Sequence, residues 1–479
     1  MTETLTLSPQ SIGFESPNVF QLGSTTEQDW SNIDGVYQSS ELQKRLQSIE
    51  ISANTTYEIA RFASLVNMST AGKLPFHRWL RYREGYSGEL VKEILTRYPI
   101  DTKREFVMDP MCGSGSTLVA CKQDGISSLG SDVSGYAVLS SRVKSRLYDT
   151  MTIEGICESL GLFEKTEFGT KYRLPEEKRD CLDRYFQIGR LQELHSMLIW
   201  SKNLQPAEVR EFFQLGVLSA IEDCSDRKKD GNGLATRPSP VTEVKERVLH
   251  QLQVMLKDVS SDSARTGIPA DAVEASALEM RSSVEAFTSR TGLSLGSIIF
   301  SPPYANSFDY YESYKLELIL GDFISDTTIK GGRAKMIRNY RIGYGGELES
   351  GMPLVELLCK EIWSQIPVKE KETGVRDGRT RLIPNMLRAY FSDMREVLAQ
   401  GLHCLQPHGR MHIVVDQSAY VGVPIPTDLV FCELASELGF EVESLIVCRK
   451  ANTSGQQLKR HPFLRNFLRE SIVTLKKSE

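Results

Sequence analysis

Two short apolar runs, each ended by a strong turn signal, are the clearest feature of the hydrophobic pattern of this chain. One runs from Phe106 to Met108 and enters a glycine-rich stretch, and the other runs from Gly296 to Phe300 and enters a pair of prolines. Runs this short, bounded by glycine or proline, predict buried strands. We also expect a helix that begins at about Thr117 and a strand from Ile126 to Gly130.

The rest of the pattern divides the chain into regions. Residues 1–42 are rich in Ser, Thr, Gln and Asn, which predicts a polar N-terminal arm. Helix-period apolar positions continue to about Thr70, and a longer helical pattern spans Tyr148 to Val259. Strands are predicted again near Met411 and Glu441. We therefore expect an α/β core in two parts, 43–147 and 266–479, separated by a helical insertion at 148–265, with an irregular basic insert at about 321–383.

Composition narrows the class of protein. The chain has 479 residues, 40 % hydrophobic and 25 % charged, as expected for a globular protein larger than one ordinary core. The net charge of −5 gives no global signature of nucleic-acid binding, so such a surface has to be local. The nine cysteines show no metal-ligand spacing, and no apolar stretch is long enough to span a bilayer. We expect reduced thiols, no metal site and a cytoplasmic protein.

The glycine-rich stretch after the first strand has the composition of a ligand-binding turn. It runs from Asp109 through Gly113 and Gly115 to Thr117, and its glycines allow a positive φ and close approach of a ligand to the backbone. The helix that follows offers free N–H groups at its start. Asp132 ends the next strand, where an acid can hold the two hydroxyls of a ribose. This order of features predicts a nucleotide-like ligand.

The second turn, Ser301-Pro302-Pro303-Tyr304, offers a different chemistry. Its two prolines fix two φ angles and remove two N–H donors, which leaves carbonyl oxygens, one hydroxyl and one aromatic face. Such a set suits a flat ring with an exocyclic amine, because the ring can stack on Tyr304 while Ser301 and a carbonyl accept the amine hydrogens. A stiff turn with no ligand is the alternative for this motif taken alone.

Together the two motifs resemble those of the amino-group DNA methyltransferases, which use S-adenosylmethionine. Asp109 to Thr117 is similar to their cofactor motif I, Asp132 falls at the acid of their motif II, and Ser301 to Tyr304 is similar to their catalytic motif IV. A serine in first place is typical of the cytosine-N4 branch. Tyr86 and Ser87 lie where such enzymes carry motif X. Ser276 stands where motif III usually has an acid, a departure from the pattern.

The resemblance implies a fold, a cofactor and a set of site residues. The fold is a Rossmann-like methyltransferase core with a mixed, mostly parallel sheet, and the cofactor is S-adenosyl-L-methionine. The implied catalytic residues are Ser301, Pro302, Pro303 and Tyr304. The implied cofactor-binding residues are Tyr86, Ser87, Asp109, Pro110, Cys112, Gly113, Gly115, Thr117, Asp132 and Ser276. The implied partners are double-stranded DNA with a flipped target base and a cognate restriction endonuclease or defence subunits, without a membrane.

Local basic segments are the candidates for contact with nucleic acid. The segment from Lys330 to Tyr344 has five basic residues, no acid and two tyrosines, a composition that suits a phosphate backbone. We expect its cations to bind DNA: Lys330, Arg333, Lys335, Arg338 and Arg341. A solvated charged loop is the alternative. The loop at Arg227–Lys229 and the C-terminal run Lys459-Arg460-His461 are weaker candidates, and the latter is expected mostly to complete the fold.

Four functions remain open at the level of sequence. The favoured one is a site-specific cytosine-N4 DNA methyltransferase of a restriction-modification or phage-defence system. An adenine-N6 DNA methyltransferase is the nearest alternative, and the first residue of motif IV argues against it. RNA guanine-N2 methyltransferases carry similar motifs, but usually with an N-terminal RNA-binding module that the polar arm does not resemble. A degenerate, non-catalytic subunit is disfavoured because motifs I and IV are intact.

Overall fold

The computed structural model describes residues 36–68, 71–82, 85–169, 172–230, 233–261, 268–305, 309–324, 333, 335–339, 351–451 and 455–479. Most of the predicted polar arm and part of the predicted basic insert, including Lys330 and Arg341, lie outside these residues. Within them, no helix is both long and apolar enough to cross a membrane.

A mixed sheet of eight strands forms the centre of the molecule, in the order β1-β11-β12-β8-β7-β2-β3-β6. Every neighbouring pair is parallel except those of β12, which runs antiparallel to β8 and to β11. Two hairpins, β4–β5 and β9–β10, lie outside this sheet. The strands are β1 Thr55–Tyr57, β2 Glu105–Asp109, β3 Ser128–Asp132, β4 Arg227–Asp230, β5 Gly233–Thr236, β6 Ala270–Glu274, β7 Ser294–Phe300, β8 Arg410–Asp416, β9 Ser418–Tyr420, β10 Val423–Ile425, β11 Phe440–Lys450 and β12 Arg469–Lys477.

Helices cover both faces of the sheet and build the insertion. They are α1 Ser40–Ser52, α2 Ile59–Phe62, α3 Gly88–Arg97, α4 Ser116–Asp124, α5 Gly135–Ser145, α6 Thr150–Lys165, α7 Glu176–Leu182, α8 Arg190–Lys202, α9 Ala207–Ser219, α10 Ile221–Cys224, α11 Val244–Ser261, α12 Met280–Thr291, α13 Tyr310–Ser313, α14 Lys315–Leu320, α15 Pro353–Thr373, α16 Ile383–Cys404, α17 Thr427–Leu438, α18 Gly455–Arg460 and α19 Leu464–Phe467. This α/β architecture is the Rossmann-like fold that the sequence predicted.

Alternation along the central strands separates the two cores. Phe106 and Met108 pack into the cluster formed with α12, α15, α16 and α17, whereas Val107 between them packs against α2, α3 and α4. The same alternation holds on β7, where Ile298 and Ile299 belong to opposite clusters. Successive side chains of a strand point to opposite faces, so a strand buried on both faces reads as a continuous apolar run. This explains why these two strands stood out in the sequence.

The helical insertion has a core of its own and one unexpected element. Helices α6 to α11 pack around Phe163, Phe212 and Phe213. The predicted loop at Arg227–Lys229 is wrong, because these residues form strand β4 of a hairpin. Lys229 lies inside, paired with two buried carboxylates, so it is removed from any exposed basic loop.

Three further differences separate the predicted elements from the observed ones. The helical pattern before Thr70 contains strand β1, which extends the sheet at its edge. The predicted irregular stretch at 321–383 includes α15, a helix of 21 residues. Strand β3 begins two residues later than predicted, at Ser128, and ends at Asp132 as predicted. Strand β1 is only three residues long, too short for its sequence to distinguish a strand from the flanking helices.

A buried arginine joins strand β12 to helices α1 and α17. Arg469, only 1 % exposed at the start of β12, binds Asp428 of α17 through Nε at 2.7 Å and Glu50 of α1 through both terminal nitrogens at 2.7 Å. Asp428 also accepts from Gln417 and Ser471. Each charge is therefore paired and hydrogen-bonded, which is the condition under which charges are tolerated in a core.

Replacing this arginine tests the arrangement. We expect Arg469→Ala to reduce the free energy of unfolding by about 3–5 kcal/mol, because it leaves Asp428 charged, buried and unpaired. Urea unfolding measures the change. The control is Lys476→Ala, which breaks the exposed pair with Glu441 at 3.5 Å and should change stability by less than about 0.5 kcal/mol. Equal effects of the two substitutions would contradict the structural role of Arg469.

Candidate active site

The glycine-rich turn lies between β2 and α4 and depends on both of its glycines. Gly113 and Gly115 have φ of +49° and +86°. A Cβ on Gly113 would lie 2.9 Å from the ring of Tyr82, and one on Gly115 would lie 2.8 Å from Oγ of Ser141. Any larger residue would therefore meet both backbone strain and a steric clash at these positions.

Asp109, the last residue of β2, stabilises this turn by accepting three hydrogen bonds. Its Oδ2 accepts hydrogen bonds from Tyr86 at 3.1 Å and Thr117 at 2.6 Å, and its Oδ1 accepts from the backbone of Met111 at 3.1 Å. Burial raises the pKa of Asp109 to about 7, partly offset by these donors. Both oxygens already have protein donors, so the structure gives Asp109 a positioning role in the turn. Its direct contact with a cofactor stays a prediction.

Asp132, at the end of β3, faces the same turn from the neighbouring strand. Its Oδ2 accepts from the N–H of Gly113 at 3.0 Å, and its Oδ1 accepts from Ser134 at 2.9 Å. Burial raises the pKa of Asp132 to about 6, against the opposing effect of those backbone donors. Carboxylate oxygens have further lone pairs, so Asp132 can still accept from a ligand.

The Ser301 turn begins where β7 ends and is held from behind by the β9–β10 hairpin. The carbonyl of Ala305, just after Tyr304, accepts from Ser418 at 3.1 Å and from the hydroxyl of Tyr420 at 2.7 Å. Pro302 is buried, while Ser301 and Tyr304 are partly exposed. The hairpin thus fixes the end of a loop whose own prolines cannot donate to a neighbour.

One cavity of about 1030 Å³, solvent at its mouth included, unites the two turns. Most of the predicted site residues line it: Tyr86, Asp109, Pro110, Cys112, Gly113, Asp132, Ser276, Ser301, Pro303 and Tyr304. The other predicted residues, Ser87, Gly115, Thr117 and Pro302, lie behind this lining. Ser87 caps α3 by accepting from Glu89, and Thr117 binds Asp109. Residues from both parts of the core therefore line one cavity.

Ser276 lies in the wall of the cavity and contributes a hydroxyl there, not a carboxylate. Its hydroxyl accepts from the backbone of Leu278 at 3.3 Å and donates to the carbonyl of Lys335 at 3.2 Å. It therefore shapes a turn and connects the wall to the segment around Lys335. The structure brings Glu274, two residues earlier, within 4.0 Å of Lys335.

An aromatic stack of Tyr82 on Tyr314 is the main feature of the cavity that the sequence did not reveal. Tyr82 and Tyr314 both line the cavity and stack with ring centroids 4.9 Å apart and an interplanar angle of 17°. Tyr310 and Tyr311 line it as well. The only signal in the sequence is a local density of tyrosines before Tyr86 and after Tyr304, which does not show that the two groups meet.

A buried ion triad from the insertion supports this stack. Nζ of Lys229 lies 3.1 Å from Glu222, 2.5 Å from Glu317 and 4.6 Å from the ring centre of Tyr314. A cation over an aromatic face is attractive, and burial strengthens that attraction. The insertion thereby contributes to the position of a cavity residue, although it lies outside the sheet.

Two of the three described cations in the predicted basic segment are already paired with carboxylates of the protein itself. Arg333 pairs with Asp309 and Arg338 pairs with Asp393, the latter also through its backbone N–H at 2.7 Å. Lys335 is 65 % exposed at the mouth of the cavity. Arg333 and Arg338 thus hold the segment against the fold, and their predicted contact with DNA would require these pairs to break.

Comparison with known proteins gives relatives of one kind. The chain is 24 % identical to the Type II methyltransferase M.BsoBI of Geobacillus stearothermophilus over 461 residues, covering 86 % of this chain and 88 % of the relative. It is also 24 % identical to the Type II methyltransferase M.AvaI of Nostoc sp. over 466 residues, covering 86 % and 89 %. The Type II methyltransferase M.MjaII of Methanocaldococcus jannaschii matches at 28 % over 131 residues, 26 % of this chain and 23 % of the relative. No family model matches the chain.

Among solved structures, an rRNA methyltransferase, aviRa of Streptomyces viridochromogenes, aligns at 10 % identity with a TM-score of 0.28, covering 83 % of this chain and 89 % of that one. The sheet topology and the relatives that align along most of the chain together define a methyltransferase, and S-adenosylmethionine is its methyl donor. The residues present fit this cofactor. Gly113 exposes its backbone to the cavity, Asp132 offers acceptors for a ribose, and Tyr82 offers an aromatic face.

The raised pKa of Asp132 predicts a pH dependence of cofactor binding. An ionised Asp132 accepts ribose hydroxyls, whereas a protonated one loses part of that capacity, so affinity should fall as pH falls through about 6. Calorimetry of S-adenosylmethionine binding between pH 5 and 8 measures this. Because Asp109 titrates nearby at about 7, the control is Asp132→Asn, which should bind more weakly at pH 8 and with a flatter pH profile. Identical profiles for the two proteins would exclude Asp132 from the site.

Proposed function

We propose that this protein is a site-specific DNA methyltransferase that transfers a methyl group from S-adenosylmethionine to the N4 amine of cytosine, within a restriction-modification or phage-defence system. The type II methyltransferase relatives along most of the chain support a DNA methyltransferase. The observation that carries the cytosine-N4 assignment is Ser301, placed at the end of β7 on the wall of the cavity that also contains Gly113 and Asp132.

The Ser301 turn suits an aromatic amine for a chemical reason. The lone pair of such an amine is delocalised into the ring, so the nitrogen is a poor nucleophile. If Ser301 Oγ and the Pro302 carbonyl accept its two hydrogens, the nitrogen becomes more pyramidal and its lone pair is exposed. Bound S-adenosylmethionine supplies the activated methyl group. Ser301 and Pro302 therefore orient the amine, and the rigid prolines keep the two acceptors in place.

The target base has to leave the duplex to reach this cavity. An enzyme that acts on a base atom inside a duplex extrudes the nucleotide and holds it by stacking and by hydrogen bonds to its polar edge. Tyr304 is partly exposed next to Ser301 and provides the stacking face in this proposal. The contacts of Ser418 and Tyr420 with Ala305 hold the loop on which that ring is carried.

The identity of the methylated nucleoside tests this function. We expect duplex DNA treated with the pure protein to contain N4-methylcytosine, resolved by chromatography and mass spectrometry from 5-methylcytosine and N6-methyladenine. Ser301→Ala should slow methyl transfer by about 5- to 150-fold, because a lost acceptor is worth about 1–3 kcal/mol, while cofactor affinity stays close to that of the wild type.

The matched control is Ser294→Ala, which removes an exposed serine at the opposite end of the same strand and should leave the rate unchanged. N6-methyladenine as the sole product would show that Ser301 does not specify cytosine. Methylated RNA without methylated DNA would overturn the substrate class.

A further inference from the structure

The connection between β11 and β12 lies at the same edge of the sheet as both functional turns. Lys450, the last residue of β11, is in register with Arg469, the first of β12, and the neighbouring Glu470 is in register with Asp416 at the end of β8. Strands β8 and β7 run parallel, so Ser301 leaves the sheet at this edge too. The described residues between them, 451 and 455–468, which include α18 and α19, are called the β11–β12 connection below.

The β9–β10 hairpin joins this connection to the Ser301 turn. On one side, Ser418 and Tyr420 bind the carbonyl of Ala305. On the other side, the ring of His461 lies so close to Gly422 that a Cβ there would be 2.6 Å from it. Leu464 and Leu468 pack with Ala419 in a small apolar cluster. The connection is thus anchored to the element that supports the candidate catalytic loop.

The charge of this connection is of one sign. No Asp or Glu occurs from Lys450 to Arg469. The side chains of Lys459, Arg460 and Arg465 are exposed and form no ion pair with any other residue that the structure describes. This differs from Arg333 and Arg338, which are paired with carboxylates. Cations left without internal partners can bind an external anion without first breaking an ion pair.

Helix α15, next to the connection, does not neutralise the positive charge of the connection. The charged groups that act on His461 from α15 are Glu372 and Lys369, one of each sign, and Arg460 acts on it from the connection itself. Phe463 adds an aromatic side chain that is 39 % exposed among these cations. Exposed cations interleaved with an aromatic ring are typical of surfaces that contact nucleic acid.

We propose that the β11–β12 connection binds the phosphate backbone of duplex DNA, through Lys459, Arg460 and Arg465, next to the nucleotide that enters the cavity. The inference rests on the proposed function, because it takes DNA as the substrate. The cations of the connection form no ion pair with the described residues, whereas Arg333 and Arg338 do, so the main backbone contact lies on the connection. The position of the connection beside the hairpin places these contacts on the side of the cavity where Tyr304 lies.

The salt dependence of DNA binding tests this surface. The probe is a fluorescent 30-base-pair duplex of mixed sequence, titrated with the full-length protein and S-adenosylhomocysteine at several salt concentrations. Each phosphate contact contributes about 0.9 to the slope of log affinity against log salt concentration. We expect Lys459→Ala/Arg460→Ala to reduce that slope by about 2, and addition of Arg465→Ala to reduce it by about one more.

The matched control removes two adjacent exposed cations at the opposite edge of the sheet, in Lys103→Ala/Arg104→Ala just before β2. It changes the net charge equally and should leave the slope as in the wild type. Equal slopes for the two double variants would overturn the proposal. Loss of cofactor binding in the Lys459→Ala/Arg460→Ala variant would also contradict it, because the connection is placed outside the cofactor site.

Nucleoside analysis of duplex DNA treated with the same variants and S-adenosylmethionine separates this proposal from the proposed function. If the protein makes N4-methylcytosine but the salt slope does not depend on Lys459 and Arg460, the proposed function stands and the β11–β12 connection is not the DNA-binding surface. A protein that binds an RNA hairpin of equal length through these residues, and ignores the duplex, refutes DNA as the partner of the connection and as the substrate.

Discussion

The parallel pairing of β7 beside β2 is the constraint on which the site depends. After β2 the chain adds β3 and then β6 on one side, and it returns to place β7 on the other side of β2. In open α/β sheets, ligands bind outside the carboxyl ends of the strands where the order reverses in this way. The turns after β2 and β7 therefore meet, although Asp109 and Ser301 are far apart in sequence.

Around this junction the protein buries ionisable side chains, and each of them is hydrogen-bonded or paired with an opposite charge. Asp109 and Asp132 have raised pKa values because of burial, and each is stabilised by donors that fix the glycine-rich turn. Lys229 brings the insertion into the same arrangement through Glu317 and the ring of Tyr314. Because unpaired buried charges are strongly destabilising, these networks stabilise the arrangement of residues around the cavity. The insertion is thus part of the site's support.

The sequence predicted what depends on local patterns. The strand-turn-helix around Gly113, the acid at Asp132 and the stiff loop at Ser301 carry their chemistry within a few residues, and the structure brings them to one cavity. It did not predict contacts between distant segments. The stack of Tyr82 on Tyr314 and the pair of Arg338 with Asp393 join residues whose types alone do not specify a partner. Lys229 was interpreted as an exposed cation for the same reason, since its two carboxylates come from other elements.

The central claim is that the turns after β2 and β7 hold one cofactor between them. A crystal structure of the protein with S-adenosylhomocysteine tests it most directly. We expect the ribose beside Asp132, the cofactor against Gly113, and its sulfur facing the Ser301–Tyr304 loop across the cavity. Electron density for the cofactor away from Asp132, or on the far side of the sheet from Ser301, would contradict the account.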